Sequence, residues 1–329
     1  MKLSAYFDTL LKDTVNLPLS RLDQLNDRVE SIYRAVRADD KYGGLLTDKS
    51  KQGSWAHRTI IKPKPDKEYD ADVLLHLDHN PDWDSDKAEY IEQLYWALNR
   101  VGYPDRHRKT RCVRVQYAND CHIDLVPYVN APGGRRIVNK TSGEWELTNP
   151  HGFSDWMKGC DDLTNAYFRK VVRLMKFLRD HKNSFTGTPS IILTTLLGNR
   201  ASWATKIMRP TAYSTVPDTL VTLVEDLDQW MQELTGMPSV EDPSSPGTTF
   251  DHRWSEASYN YFRDRIHVHA QEMRDALDEQ DRDASVEKWR SLFGDGFRRD
   301  SQENKSASPF TAPAYAGGGA SSSRAGRAG

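Results

Sequence analysis

Residues 53–72 read GSWAHRTIIKPKPDKEYDAD, and the rest of the chain is organised around them. The stretch opens on a Gly-Ser pair. Sixteen residues after Ser54 it reaches Asp70-Ala71-Asp72, which runs into the apolar Val73-Leu74-Leu75. On a strand, residues i and i+2 share a face, so Asp70 and Asp72 present both carboxylates to one point. Two carboxylates that close disfavour joint ionisation unless a cation lies between them. Mg²⁺ is typically held by one or two carboxylates plus substrate phosphates, and a Gly-Ser turn offers phosphates its backbone N–H groups and a hydroxyl. A third carboxylate follows in His122-Ile123-Asp124-Leu125-Val126-Pro127. Taken singly, a D-x-D is more often a solvated surface pair, a Gly-Ser is usually a turn, and Asp124 has a reading as the polar face of an edge strand. Their order favours a two-metal site: turn, D-x-D entering a strand, then one Asp inside a second apolar strand.

GSW…T…DAD followed by HIDLVPYV resembles the nucleotidyltransferases of the DNA polymerase β superfamily, and within it the bacterial cGAS/DncV-like enzymes (CD-NTases) of CBASS anti-phage systems. The likeness extends to Gly143-Glu144-Trp145 through Pro150, with Phe153 and Trp156, and to DPSSPGTTFDHRWSEASYNYF at 242–262; it covers roughly residues 20–295. It implies an α+β fold, with a polymerase β-like nucleotidyltransferase lobe (a mixed sheet with helices) and a helical second lobe. The implied division is N-terminal helices bridging the lobes over 1–37, the catalytic core over 38–150, the helical lobe over 151–298 and a Gly/Ala/Ser-rich tail over 299–329. Asp70, Asp72 and Asp124 then become catalytic residues and the ligands of two Mg²⁺, or Mn²⁺, ions. The family places a nucleotide contact at Gln52, beside Gly53 and Ser54; an ordinary polar loop residue is the equal alternative for Gln52. It also puts a triphosphate-binding Lys where Lys176 stands, and a phosphate-contacting Ser where Ser190 begins a helix.

At 329 residues the chain fits one large domain or two lobes. A net charge of −2 argues against binding long nucleic acid through a basic surface, so no long template is expected. It permits a local basic pocket for nucleotides. Cys112, Cys121 and Cys160 form no C-x-x-C and no zinc spacing. With no secretory layout at the N-terminus, they fit a reducing cytoplasm. No apolar run approaches a membrane span.

The remaining chain reads as alternating elements. An amphipathic helix over 3–16 is followed by a second that Ser20 caps, with Leu22, Leu25, Val29, Ile32, Tyr33 and Val36 on one face. Residues 40–52 read as a loop. Thr59-Ile60-Ile61 and Val73–Leu77 read as strands, 80–101 as a helix, and 111–117 and 121–129 as strands joined by a turn at Asn119-Asp120. Arg111 or Arg114 could reach a phosphate, although a solvent-facing role is the better reading of each alone. Residues 131–152 read as loop and short strands. Helices follow at 165–182, from Ser190, at 217–235, 255–281 and 285–293. The basic face Arg169, Arg173 and Lys176 reads by itself as solvated, and Ser190 as a cap. The aromatics read as core, with none assigned to a nucleobase.

The tail after about 300 cannot bury enough apolar area to order itself. By analogy with CBASS operons, its terminal Gly329 suits a ubiquitin-transfer-like conjugation partner; an accidental final Gly is the equal alternative. The expected function is a cyclic oligonucleotide synthase that takes NTPs, ATP among them, and makes a cyclic di- or trinucleotide second messenger for a downstream effector. The alternatives are a non-cyclising nucleotidyltransferase of the same fold, acting on RNA, a small molecule or a protein, and a non-catalytic binding module.

Overall fold

A computed structural model describes residues 2–299, apart from Asp66 and Asn119. The tail from Asp300, with Gly329, lies outside the described residues, as does the Asn119 half of the expected turn.

The chain begins with α1 (Ser4–Leu10), which continues into one π-helical turn over Leu11–Val15, and then α2 (Leu19–Arg37). Pro18 stands at the start of α2 with no side-chain cap. The expected Ser20 cap is therefore corrected: Pro18 presets the entry, and Ser20 already lies inside the first turn. β1 (Leu46–Gln52) leads into the one-turn α3 (Gly53–Ala56), and β2 (Tyr69–Asp78) into α4 (Glu89–Arg100). There follow β3 (Arg106–Arg108), β4 (Val113–Tyr117), β5 (Cys121–Ala131), β6 (Gly134–Asn139) and β7 (Glu144–Leu147). The rest is helical: α5 (Pro150–Leu163), α6 (Phe168–His181), α7 (Ser190–Gly198), α8 (Trp203–Met208), α9 (Val216–Gln232), α10 (Glu256–Asp278) and α11 (Arg282–Phe293).

The sheet is mixed, in the order β1-β2-β5-β4-β3, with β6 and β7 continuing as a hairpin from β5. β2 and β5 run parallel; the other pairings are antiparallel. Strand alternation divides β2 and β5 between two faces. Val73, Leu75 and Leu77 with Ile123, Leu125 and Val129 join Ile32 and Val36 of α2 and Tyr90, Leu94 and Leu98 of α4 in one core. Leu74, Val126 and Tyr128 form a small apolar cluster with Cys112 and Ile137 on the opposite face. Asp70, Asp72 and Asp124 continue that second face toward the strands' N-terminal ends.

A separate core holds the helical half, around Phe168, Met175, Leu193, Leu223, Phe262 and Trp289. Phe7 and Leu10 of α1 belong to it, whereas α2 packs on the sheet. Between the halves runs the segment 57–61. The strand expected at Thr59-Ile61 is not one: it makes a single bridge, Ile61 with Asn16, and Ile60 and Ile61 each enter a different core. Apolar β-branched residues therefore anchor a crossing here rather than pair in a ladder. β1 is the converse case, because LTDKSKQ shows no apolar alternation yet pairs along β2 as the edge strand. Only part of the expected helix over 80–101 forms; Pro81–Trp83 is a 3₁₀ turn and α4 starts at Glu89.

Candidate active site

The register of the sheet lines up the acidic residues. Gln52 of β1 pairs with Asp72 of β2, Asp72 with Asp124 of β5, and Asp124 with Arg114 of β4. Directly opposed residues point to one face, so Asp72 and Asp124 stand side by side on adjacent strands, about 4.8 Å apart in the hydrogen-bonding direction. Asp70 lies two residues before Asp72, on the same face and exposed.

Gly53 makes room for this arrangement. Its φ is +61°, and a Cβ built there would stand 2.3 Å from Asp72 Oδ2. Glycine therefore meets two requirements at once, a left-handed backbone and a close approach by a carboxylate. Burial, then Asp70 and Asp124, push the Asp72 carboxyl up to about 7, against the pull of Arg114 and Arg253. The charged form of Asp72 is thus short of positive charge.

Asp124 is differently placed. Arg114 Nε donates to its Oδ1 at 2.7 Å, and a second guanidinium nitrogen donates to Oδ2 at 2.8 Å. This fork corrects the solvent-facing reading of Arg114. The strand alternation was right about its face, but the residue opposite it is a carboxylate. Arg111 is likewise not free, since its guanidinium pairs with Glu146, which also accepts from Asn139 Nδ2 at 2.6 Å.

A cleft of about 860 Å³ lies over these residues. It is lined by Gln52, Gly53, Ser54, Asp70 and Asp72 from the sheet half and by Lys176 and Ser190 from the helical half. Asp124, paired with Arg114 on the neighbouring strand, is not on the wall. The structure thus brings seven of the eight expected site residues to one cavity.

Lys176 is buried, and its Nζ donates to the Thr59 carbonyl at 2.8 Å. Burial, helped by Arg179 and opposed by Asp70, brings its ammonium down to about 8. The basic face of α6 is therefore not a solvated one. Arg169 pairs with Asp161 at 2.6 Å, Arg173 donates to the Arg58 carbonyl at 2.9 Å, and Lys176 closes on the same crossing segment. Ser190 is the first residue of α7, and Pro189 precedes it with no side-chain cap. Its Oγ accepts from Arg179 at 3.1 Å instead, which corrects the capping reading.

Three further cleft residues escaped the sequence. Arg253 acts on Asp72 electrostatically from the loop before α10. Arg179 ties Ser190 to the Thr188 carbonyl. His57 packs on Phe153 with ring centroids 5.0 Å apart, and burial, then Arg169 and Lys176, drive it down to about 4, so it is neutral at pH 7. Only the helical spacing of Arg179 from Lys176 offered a signal for any of them.

Among the described residues, no three His, Cys, Asp or Glu side chains are arranged as a ready metal-ligand cluster. Arg114 engages both oxygens of Asp124. The donor set nonetheless suits a hard divalent cation: three carboxylates on one face, one of them with its proton affinity raised by burial and by its acidic neighbours. Phosphates could meet the Gly53-Ser54 turn and the Lys176 ammonium across the cleft.

Residues 1–161 match the Second Messenger Oligonucleotide or Dinucleotide Synthetase domain family. A cyclic AMP-AMP-AMP synthase of an Acinetobacter species is 24% identical over 279 residues, covering 83% of this chain and 79% of that protein. A CBASS oligonucleotide cyclase, CdnC, of Escherichia coli is 26% identical over 136 residues, 39% of this chain and 42% of that one. The solved structure of the Bradyrhizobium diazoefficiens CD-NTase CdnG in complex with GTP superposes with a TM-score of 0.71 at 19% identity, over 90% of this chain and 96% of that one.

Proposed function

We propose that this chain, which belongs to the cGAS/DncV-like nucleotidyltransferases, joins NTPs into a cyclic oligonucleotide second messenger in CBASS anti-phage defence. The observation that carries the reading is the in-register pairing of Asp124 with Asp72, which lines a cleft that Lys176 lines from the helical half. The relatives named as cyclic oligonucleotide synthases support the same chemistry.

Enzymes of this kind depend on metal ions. Asp70, Asp72 and Asp124 are the residues that would hold two Mg²⁺, or Mn²⁺, ions here. When bound, such ions stabilise the attacking and leaving oxygens of a phosphoryl transfer. The chain's own residues do the rest. Ser54 and the Gly53 turn hold the donor triphosphate at the sheet, with Gln52 beside them; Lys176 and Ser190 hold it from the helical half. The acceptor's ribose hydroxyl attacks the α-phosphate in line, and pyrophosphate leaves. A last transfer, from the free ribose hydroxyl of the linear product to its own 5′ α-phosphate, releases a further pyrophosphate and closes the ring. Val126, Ile137 and Cys112 give the cleft an apolar patch beside the carboxylates. ATP is among the substrates, the product acts on a downstream effector, and the enzyme works in the cytoplasm. No helix among the described residues is long and apolar enough to cross a membrane. Conjugation of Gly329 to a ubiquitin-transfer-like partner remains part of the proposal.

The test incubates purified protein with all four radiolabelled NTPs and Mg²⁺ or Mn²⁺. Phosphatase treatment, chromatography and mass spectrometry follow, beside an Asp70→Ala/Asp72→Ala control. A phosphatase-resistant cyclic species absent from the control is the expected result. Linear products alone would instead identify a non-cyclising transferase.

A further inference from the structure

We infer that Arg114 is a built-in counter-ion for the metal site: it neutralises Asp124 when no metal is bound, and its charge sets how tightly the metal binds. The inference rests on the proposed metal-binding role of the carboxylates.

The geometry behind it is specific. Asp72, Asp124 and Arg114 occupy one row across β2, β5 and β4. Arg114 reaches both oxygens of Asp124, at 2.7 and 2.8 Å, in the bidentate form that fits guanidinium to carboxylate. Neither member of the pair is free in solvent, with side chains 26% and 13% exposed. Among the described residues, Asp72, its in-register neighbour, has no comparable guanidinium fork. The metal-free site is thus half neutralised, on the Asp124 side.

A divalent cation entering between Asp72 and Asp124 meets the guanidinium. Whether Arg114 swings off Asp124 or shares it through the remaining lone pairs, a positive charge stands next to the incoming one. A single charge a few ångströms away changes a carboxylate's affinity for a proton by about ten-fold to a thousand-fold, and the same repulsion acts on a metal ion. Arg114 also fixes the rotation of Asp124, which a merely screening charge would not do. The two effects pull in opposite directions when Arg114 is removed: the metal binds more tightly, while the carboxylate that holds it is less well oriented. Arg114 is therefore a positioning residue, acting through Asp124.

The experiment measures Mn²⁺ binding to the full chain by electron paramagnetic resonance at pH 8 without nucleotide, for wild type, Arg114→Gln, Arg114→Lys and Asp124→Asn. Thermal unfolding in EDTA and in Mn²⁺ accompanies it. Arg114→Gln is expected to bind Mn²⁺ about ten-fold more tightly while its kcat at saturating metal falls. It should also melt lower than wild type in EDTA and gain more from Mn²⁺. Arg114→Lys keeps the charge and loses the fork, so its affinity stays within about three-fold of wild type. It serves as the folded variant if Arg114→Gln is unstable, with its kcat still reduced. Equal or weaker Mn²⁺ binding by a folded Arg114→Gln overturns the inference while leaving the metal site intact. Equal Mn²⁺ binding by wild type and Asp124→Asn overturns the site itself, and the inference with it.

Discussion

Gly53 and Asp72 fit together like a socket and plug: the Cβ that Gly53 lacks would lie 2.3 Å from the Asp72 Oδ2 atom. Gly53→Ala forces the carboxylate out of register with Asp124 and strains a backbone held at φ +61°. A displacement of about 1 Å at a reacting centre costs on the order of 100-fold in rate. We expect at least that loss of nucleotide turnover, with the protein still folded by circular dichroism. An alanine variant within a few-fold of wild type would show that the close approach has no catalytic consequence.

The same isosteric change at two neighbouring carboxylates should shift stability in opposite directions. Asp72 is crowded by burial and by Asp70 and Asp124, so Asp72→Asn removes a repulsive charge. Its melting temperature in EDTA at pH 8 should rise, by about 1.5 °C per kcal/mol relieved. Asp124→Asn instead breaks the Arg114 fork, and should cost about 1–2 kcal/mol. Both variants lose turnover. Differential scanning calorimetry of the metal-free proteins decides the point; two shifts of the same sign would contradict the charge distribution described here.

The catalytic face was legible because strand alternation is a strict period. Once Asp70-Ala71-Asp72 and Asp124 sit on strands, their neighbours Val73 and Leu125 must face the opposite core. What alternation does not give is the lateral partner. Nothing local in RCVRVQY indicates that Arg114 lies opposite Asp124 rather than opposite solvent, because sheet order is a non-local property. β1 escaped for a related reason. As an edge strand with polar residues on both faces, it takes its stability from the ladder with β2 rather than from an apolar pattern. The basic face of α6 misled for the converse reason: helical spacing defines the face, but only the packing of the two halves shows that Arg58 and Thr59 carbonyls cover it.

His57 links packing to pH. Burial against Phe153 lowers it to about 4 from an ordinary 6.5. A group whose folded pKa is depressed in this way favours the neutral form, so the unfolded chain binds more protons between the two values. The stability it contributes is complete above pH 6.5 and is lost as pH falls toward 4. His57→Gln should flatten that part of the stability–pH curve, measured by urea unfolding at a series of pH values. An unchanged curve would place the acid sensitivity elsewhere.

Lys176 gives the corresponding prediction at alkaline pH, and it bears on substrate. A buried ammonium brought down to about 8 is charged at pH 7 and largely neutral by pH 9, whereas an exposed lysine would remain charged to about 10.4. If Lys176 holds the triphosphate, loss of its charge weakens capture of the free nucleotide. Therefore kcat/KM for NTP should be level below pH 8 and fall above it. Bound triphosphate favours the charged form, so kcat should fall only at higher pH. An arginine is not an equivalent occupant of a lysine-shaped site, yet it stays charged throughout. Lys176→Arg should therefore have a lower plateau but no limb near pH 8, and Lys176→Met should be flat and reduced by about ten-fold or more, the cost of a charged hydrogen bond. Pyrophosphate release followed from pH 6.5 to 10 separates these profiles, with metal hydroxide formation controlled by a wild-type series at fixed free Mg²⁺. An alkaline limb that persists unchanged in Lys176→Arg would assign it to another group and leave Lys176 as a strut between α6 and the Thr59 carbonyl.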